Sequence, residues 1–346
     1  MSSDYLWDGS GEPDPEIRKL EDTLGALRHR RPAPAFPEMP VVAAPVRVRW
    51  FDMRLWPALA GVAAGLLLIA ALGRMARPSP AKMAAVPGWD VTALAGVPQV
   101  DAGAGNGKLI PGQTLETDNR SHASLRAEEV GEIDVEPGSR LRLLDLASGK
   151  NRLALDRGTI HATIWAPAGE FVIDTPSAVA VDLGCSYTLK VDDAGNGVLR
   201  TSLGWVGFKL NGHEAFIPAG AACATKPKTG PGTPYFEDAA ESFRAALAKL
   251  DAEGTGPGEH AEALHVVLTQ SRKRDALTLW HLLARVPETE RGSVYDRLAE
   301  LVPAPAGVTR DGILRLDQTM LDQWWNELGF GDVGLWRHWE RTYASH

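Results

Sequence analysis

Two cysteines in 346 residues, Cys185 and Cys223, are too few for a zinc site built from cysteine, and they lack CxxC spacing. Basic residues are also in short supply. With 36 Lys and Arg against 44 Asp and Glu, and a net charge of −8, the chain has no electrostatic footprint for direct DNA or RNA binding. Catalytic signatures are missing as well. There is no HExxH and no GxSxG, and His260 and His265 are five apart, not the four that place two ligands on one helical face. The run GAGNGK at 103–108 is not a phosphate loop, because Ala102 stands where a Gly is needed and Leu109 where a Ser or Thr would hold magnesium. The carboxylates are scattered through turns, where solvation accounts for them. The expectation is a protein that is not an enzyme, with no cofactor and no metal.

What the chain does have is one long apolar run. Residues 55–73, LWPALAGVAAGLLLIAALG, carry no charge between Arg54 and Arg74. At 1.5 Å per residue the run nearly matches a hydrocarbon core of about 30 Å, which predicts a single transmembrane helix. Pro57 falls in the first turn, where a missing N–H costs least. The run lies too far from the N-terminus for a cleaved signal peptide. Gly61 and Gly65 form a GxxxG spacing compatible with a homodimer, a pattern that also arises by chance in Gly- and Ala-rich spans. Arg28, Arg30, Arg31, Arg47, Arg49 and Arg54 precede it, against Arg74, Arg77 and Lys82 after it, so the positive-inside rule puts the N-terminus in the cytoplasm.

The cytoplasmic segment, residues 1–31, contains one clear helix start: Asp14 as cap, Pro15 at the first position and Glu16 at the positive end of the dipole. Ile17, Leu20, Leu24 and Leu27 then share one face, with Tyr5, Leu6 and Trp7 as further apolar weight. So short a segment cannot bury that face by itself. A partner protein, a second copy or the inner leaflet must cover it, and the mixed charges Glu16, Lys19, Glu21 and Asp22 favour a protein. Residues 32–54 read as a Pro/Ala-rich linker.

Beyond the span the pattern changes. Residues 74–109 form a tether leading into short alternating runs, including 132–135, 140–143, 152–155, 159–165, 170–174, 187–191, 198–202 and 205–210, with turn residues between them. This spacing predicts an all-β sandwich, barrel or solenoid over 110–235, with DDAGNG at 192–197 as a hairpin turn. Residues 236–346 switch to helical periodicity: Phe243, Leu247 and Leu250; Leu264, Val267 and Leu268; Leu279, Leu282, Leu283 and Val286; Val294, Leu298, Leu301 and Val302; Leu321, Trp324, Trp325 and Leu328. Trp280, Trp324, Trp325, Trp336 and Trp339 lie on or beside these faces and read as core, with a binding surface as the lesser alternative. The fold expected is therefore multi-domain: a single transmembrane helix, an exported all-β domain and a C-terminal all-α domain.

One ordered series carries a family likeness. Gly158 follows a strand, Thr175-Pro176 precedes another, and Gly184-Cys185-Ser186-Tyr187 stands where a Gly-Thr-x-Phe element is expected. Gly204-Trp205-Val206 then opens a strand before the turn Pro218-Ala219-Gly220. Over about residues 110–222 the chain resembles the FecR domain, the exported sensory part of bacterial anti-sigma regulators. The resemblance implies an all-β FecR-like module, a single-pass protein of the bacterial inner membrane with its bulk in the periplasm, and a cytoplasmic segment that contacts a sigma factor. The exported side would meet an unidentified envelope protein or ligand. A non-enzymatic envelope scaffold is the alternative reading. The departure at Cys185 leaves two states open, a disulfide with Cys223 or two buried thiols.

Overall fold

The computed structural model describes residues 15, 18, 19, 87–101, 103–104, 107–146 and 150–343. The apolar run 55–73 lies outside them, and among the described residues no helix is long and apolar enough to cross a membrane. Of the expected N-terminal helix, Pro15, Arg18 and Lys19 are described, and all three are helical and exposed. The sheets and C-terminal helices belong to one unit, Pro80–His346.

Its described strands form two sheets that share one strand. The first runs β4 (Gly107–Leu109), β1 (Trp89–Ala95), β6 (His122–Ala127), β7 (Gly131–Val135), β9 (Asn151–Ile164), β12 (Ser186–Val191), β13 (Gly197–Leu203) and β16 (Ala221–Lys226). The short β17 (Gly230–Pro231) and β18 (Tyr235–Phe236) pair with the far side of β16. The second sheet runs β3 (Gly103–Ala104), β2 (Gln99–Val100), β5 (Thr114–Glu116), β8 (Arg140–Asp145), β9, β10 (Phe171–Asp174), β11 (Val179–Asp182), β14 (Trp205–Leu210) and β15 (His213–Pro218). All of these pairs are antiparallel except β9 with β10. The described part of the stretch 74–109 thus supplies β1 to β4.

β9 is the shared strand. Its first half pairs with β8 and β10, and from Gly158 onward it pairs with β7 and β12. Gly158 has φ of +102° and backs onto Ser139, so an added Cβ would overlap that residue. The one residue type that fits is the one present, and the strand changes sheets there.

Burial follows the layers. β7 alternates strictly, with Gly131, Ile133 and Val135 inside and Glu132 and Asp134 outside, as suits a sheet with one face in water. In β14 and β15 the runs 205–208 and 215–218 are buried without a break. Those strands are covered on both faces, one by the sandwich core and the other by helices.

The helices are α1 (Glu241–Leu250), α2 (Pro257–Gln270), α3 (Ala276–Leu283), α4 (Glu288–Leu301), α5 (Arg310–Leu314), α6 (Gln318–Glu327) and α7 (Val333–Tyr343). Local chemistry sets several of their starts. Pro257 opens α2, and Asp317 caps α6 by accepting from the Met320 N–H at 3.0 Å. All eight residues of α3, ALTLWHLL, are buried.

These helices share the hydrophobic core of the sheets and do not form a bundle with a core of their own. Phe216 of β15 is the meeting point. Its ring lies 5.0 Å from Trp325, 5.4 Å from Trp336, 5.6 Å from Trp205, 5.8 Å from His281 and 5.9 Å from Trp280, centroid to centroid. Trp336 reaches the sheet over Gly207, which has no side chain to obstruct it. All five C-terminal tryptophans are buried, as expected of core residues.

β15 pairs with β14 alone among the described strands, so its other edge needs partners from elsewhere. Helix α3 and the turn after it supply them. His281 Nε2 accepts from the Phe216 N–H at 2.9 Å, and Arg285 Nη2 donates to the Glu214 carbonyl at 2.9 Å. Accepting at Nε2 puts the imidazole proton on Nδ1, which donates to the Leu277 carbonyl at 2.8 Å. Burial, helped by the Arg285 charge and opposed by the Leu277 bond, pushes the His281 pKa down to about 3.

Two predictions follow from this packing. Gly207→Ala should destabilise the protein by about 1–3 kcal/mol through overpacking against Trp336, whereas Gly258→Ala, in open space on α2, should be neutral or slightly stabilising; thermal melts of both variants check this. Because the folded pKa of His281 lies below its ordinary value of 6.5, its contribution is complete above that pH and is lost as pH falls toward 3. Denaturant midpoints from pH 7 to 4 should fall less steeply in His281→Phe, which should also cost about 1–3 kcal/mol at pH 7 by orphaning the Phe216 N–H.

Candidate functional site

The residues expected to hold a cytoplasmic partner, Tyr5, Leu6, Trp7, Ile17, Leu20, Leu24 and Leu27, lie outside the described residues. The family-like positions are all described: Gly158 is the residue at which β9 changes sheets, and the others fall into two groups. Thr175 and Pro176 form the turn from β10 to β11, where Thr175 Oγ1 accepts from the Ala178 N–H at 2.9 Å. Pro176 packs beside Gly195 of the 192–197 hairpin. Gly184, Cys185, Tyr187, Gly204 and Gly220 make the second group. Gly184, Gly204 and Gly220 have φ of +89°, +68° and +80°, and a Cβ on Gly204 would overlap the Gly184 carbonyl. Such glycines permit turns and close backbone approach. Their role here is to shape the β domain rather than to present a reactive group.

Behind the second group lies a buried carboxyl. Asp182 ends β11 at 2 % exposure, accepts from the Gly184 N–H at 2.7 Å and takes the Cys185 thiol as a second donor. Burial pushes its pKa up to about 7, against the lowering effect of those hydrogen bonds. The Cys185 thiol is raised well above its ordinary range by burial and by the neighbouring carboxyl, and the Tyr187 phenol is raised by the same two causes in the same order. Neither thiol nor phenol is an activated nucleophile in this setting.

The disulfide between Cys185 and Cys223 is not formed, and strand order gives the reason. Cys185 leads into β12 and Cys223 sits in β16, with β13 between them, paired to both. Two strand spacings come to about 9.5 Å, beyond the roughly 6.8 Å that a disulfide spans between Cα atoms. Both thiols are buried, and Cys223 Sγ donates to the Gly232 carbonyl at 3.2 Å, with its pKa pushed up to about 12, chiefly by burial.

Two further polar arrangements escape sequence patterning. Arg337 of α7 grips Glu214 of β15 at 2.9 and 3.0 Å, and Asp322 of α6 at 3.0 Å through two nitrogens, while Lys209 of β14 pairs with Glu340. This clamp ties the last helix to the second sheet. The other is a cleft of about 400 Å³ between the β16–β17 hairpin and α1, lined in part by Lys226, Tyr235, Arg244, Asp251 and Arg285. Among the described residues no group of His, Cys, Asp and Glu is arranged to hold a metal ion. The sequence signal for the buried groups is slight but real: Asp182 and His281 each interrupt an otherwise apolar run, 178–183 and 279–283.

No family profile matches the chain, and no curated protein matches it. Among solved structures, two crystal structures of a candidate anti-sigma factor from Parabacteroides distasonis are similar to it, at 13 % and 14 % identity and a TM-score of 0.32. Each covers 39 % of this chain, which in turn spans 64 % of that protein's chain.

Asp182 makes a test of this region. Its folded pKa is raised, so the folded state holds the proton more tightly and stability falls as pH rises from about 4 to about 7. Asp182→Asn should remove that loss, on the order of 2–4 kcal/mol, seen as a smaller drop in denaturant midpoint between pH 5 and 8 than in the wild type.

Proposed function

We propose that this protein is a membrane-anchored, non-enzymatic regulator of the anti-sigma type, with a FecR-like sensory domain in the periplasm. The observation that carries the reading is the ordered series over 110–222 together with its setting: an apolar run of 19 residues upstream, and an amphipathic segment before that with too little chain to cover its own face. The segment bearing Tyr5, Leu6, Trp7, Ile17, Leu20, Leu24 and Leu27 holds the sigma factor, and residues 55–73 cross the inner membrane once. A helix without a core of its own is marginal when unbound. A signal therefore needs only to alter the affinity of that segment, by exposing it to proteolysis or to a competing partner. The alternative, an envelope scaffold whose exported β and helical domains bind protein or polymer, loses Trp280, Trp324, Trp325, Trp336 and Trp339 as contact residues, since all five are buried.

The test is co-purification with the tagged full-length chain from its native host. A sigma factor should be recovered with the wild type and fall about tenfold or more in the double variant Leu20→Asp, Leu24→Asp, which puts two charges on the apolar face. Recovery of no RNA polymerase component at normal expression would overturn the proposal.

A further inference from the structure

The cleft beside α1 has the makings of a ligand site. Its volume of about 400 Å³ lies within the range of small-molecule pockets, roughly 300–1,000 Å³. Arg285, half-buried at one wall, donates to the Pro231 carbonyl at 2.8 Å and the Glu214 carbonyl at 2.9 Å. Both acceptors are neutral, so the guanidinium is held rigid while its charge has no carboxylate partner among the described residues. Lys226 and Arg244 also line the cleft and form no ion pair among the described residues.

The one carboxylate in the lining is already engaged. Asp251 accepts from the Thr233 N–H and from its hydroxyl, both at 2.7 Å. Three cationic heads against one satisfied carboxylate is an unusual surplus on a chain whose net charge is −8. Concave walls focus such a surplus. Tyr235 adds a half-buried hydroxyl with no hydrogen-bond partner among the described residues, and Leu247 and Leu250 of α1 supply an apolar side.

We infer that this cleft binds a small organic anion, a carboxylate or phosphate on a short apolar body. The head group lies among Arg285, Arg244 and Lys226, Tyr235 donates to it, and the body rests against Leu247 and Leu250. This inference stands apart from the regulatory reading, and its test has a separate readout.

The experiment is titration calorimetry on the full-length chain in detergent, with phenyl phosphate, hexanoate and inorganic phosphate as probes. At least one organic probe should bind saturably, one per chain, more tightly than inorganic phosphate and more weakly as salt rises. Phenyl phosphate and hexanoate distinguish the head group, and preference for either supports the assignment. The double variant Lys226→Ala, Arg244→Ala, which changes exposed side chains only, should weaken binding about tenfold or more, and Tyr235→Phe several-fold. No saturable binding of either organic probe at about 10 mM, affinity unchanged in the double variant, or equal affinity for inorganic phosphate would each overturn it.

Discussion

The outer edge of β15 is the constraint on which the rest of this unit depends. A strand with one unpaired side exposes N–H and C=O groups that must find partners or face water. Here they find them in His281 and Arg285, which meet the Phe216 N–H and the Glu214 carbonyl. That requirement fixes the position of α3 against the sheet. Once α3 is fixed, Trp280 and His281 stand beside Phe216, and α6 and α7 close the remaining sides with Trp325 and Trp336. Glu214 serves twice, its carbonyl taking Arg285 and its carboxylate taking Arg337 and the Trp336 indole N–H at 3.2 Å. One short strand therefore organises helices whose hydrogen-bonding residues lie from 65 to 123 positions away in sequence.

How far this was legible from residues alone varied with the kind of signal. Alternation marked β7 and β12 of the first sheet, which have one wet face and carry period two, whereas β1, β4 and β16 of the same sheet lie outside the runs read from the sequence. In the second sheet the runs 140–143, 170–174 and 205–210 were read as strands too, the last of them from its turn residues and β-rich composition, because 205–208 are buried without a break and continuous burial carries no period. β9 was read as two runs, 152–155 and 159–165, because Gly158 looks like a break, whereas the backbone passes through that glycine and changes sheets. Five helical stretches match α1, α2, α3, α4 and α6. The five-residue α5 is too short for periodicity, and in α7 the exposed Leu335 interrupts the buried set Val333, Trp336 and Trp339.

The site was less legible than the fold, for a physical reason. Strand order is decided by tertiary packing, so nothing in the spacing of Cys185 and Cys223 reveals that β13 separates them. The cleft is assembled from Lys226, Tyr235, Arg244 and Arg285, residues on a strand, a second short strand, a helix and a turn, none of which forms a motif with the others. The family-like glycines were visible because turns leave local marks. Their places at Gly158, Gly184, Gly204 and Gly220 serve the backbone, and the groups with chemical character stand next to them or elsewhere.

The continuity of β9 through both sheets has a mechanical meaning. The chain enters the sandwich at β1 in the first sheet and finishes at α7, clamped by Arg337 to the second. Tension applied between those points must cross from one sheet to the other, and β9 is the covalent member that lies in both. It is flanked by two ladders in each half, so the load meets rows of hydrogen bonds in shear rather than one at a time. Sliding one sheet over the other would require this strand to bend at Gly158, where Ser139 already fills the space. The two sheets are thereby spliced through one strand into a single body that resists shear between them.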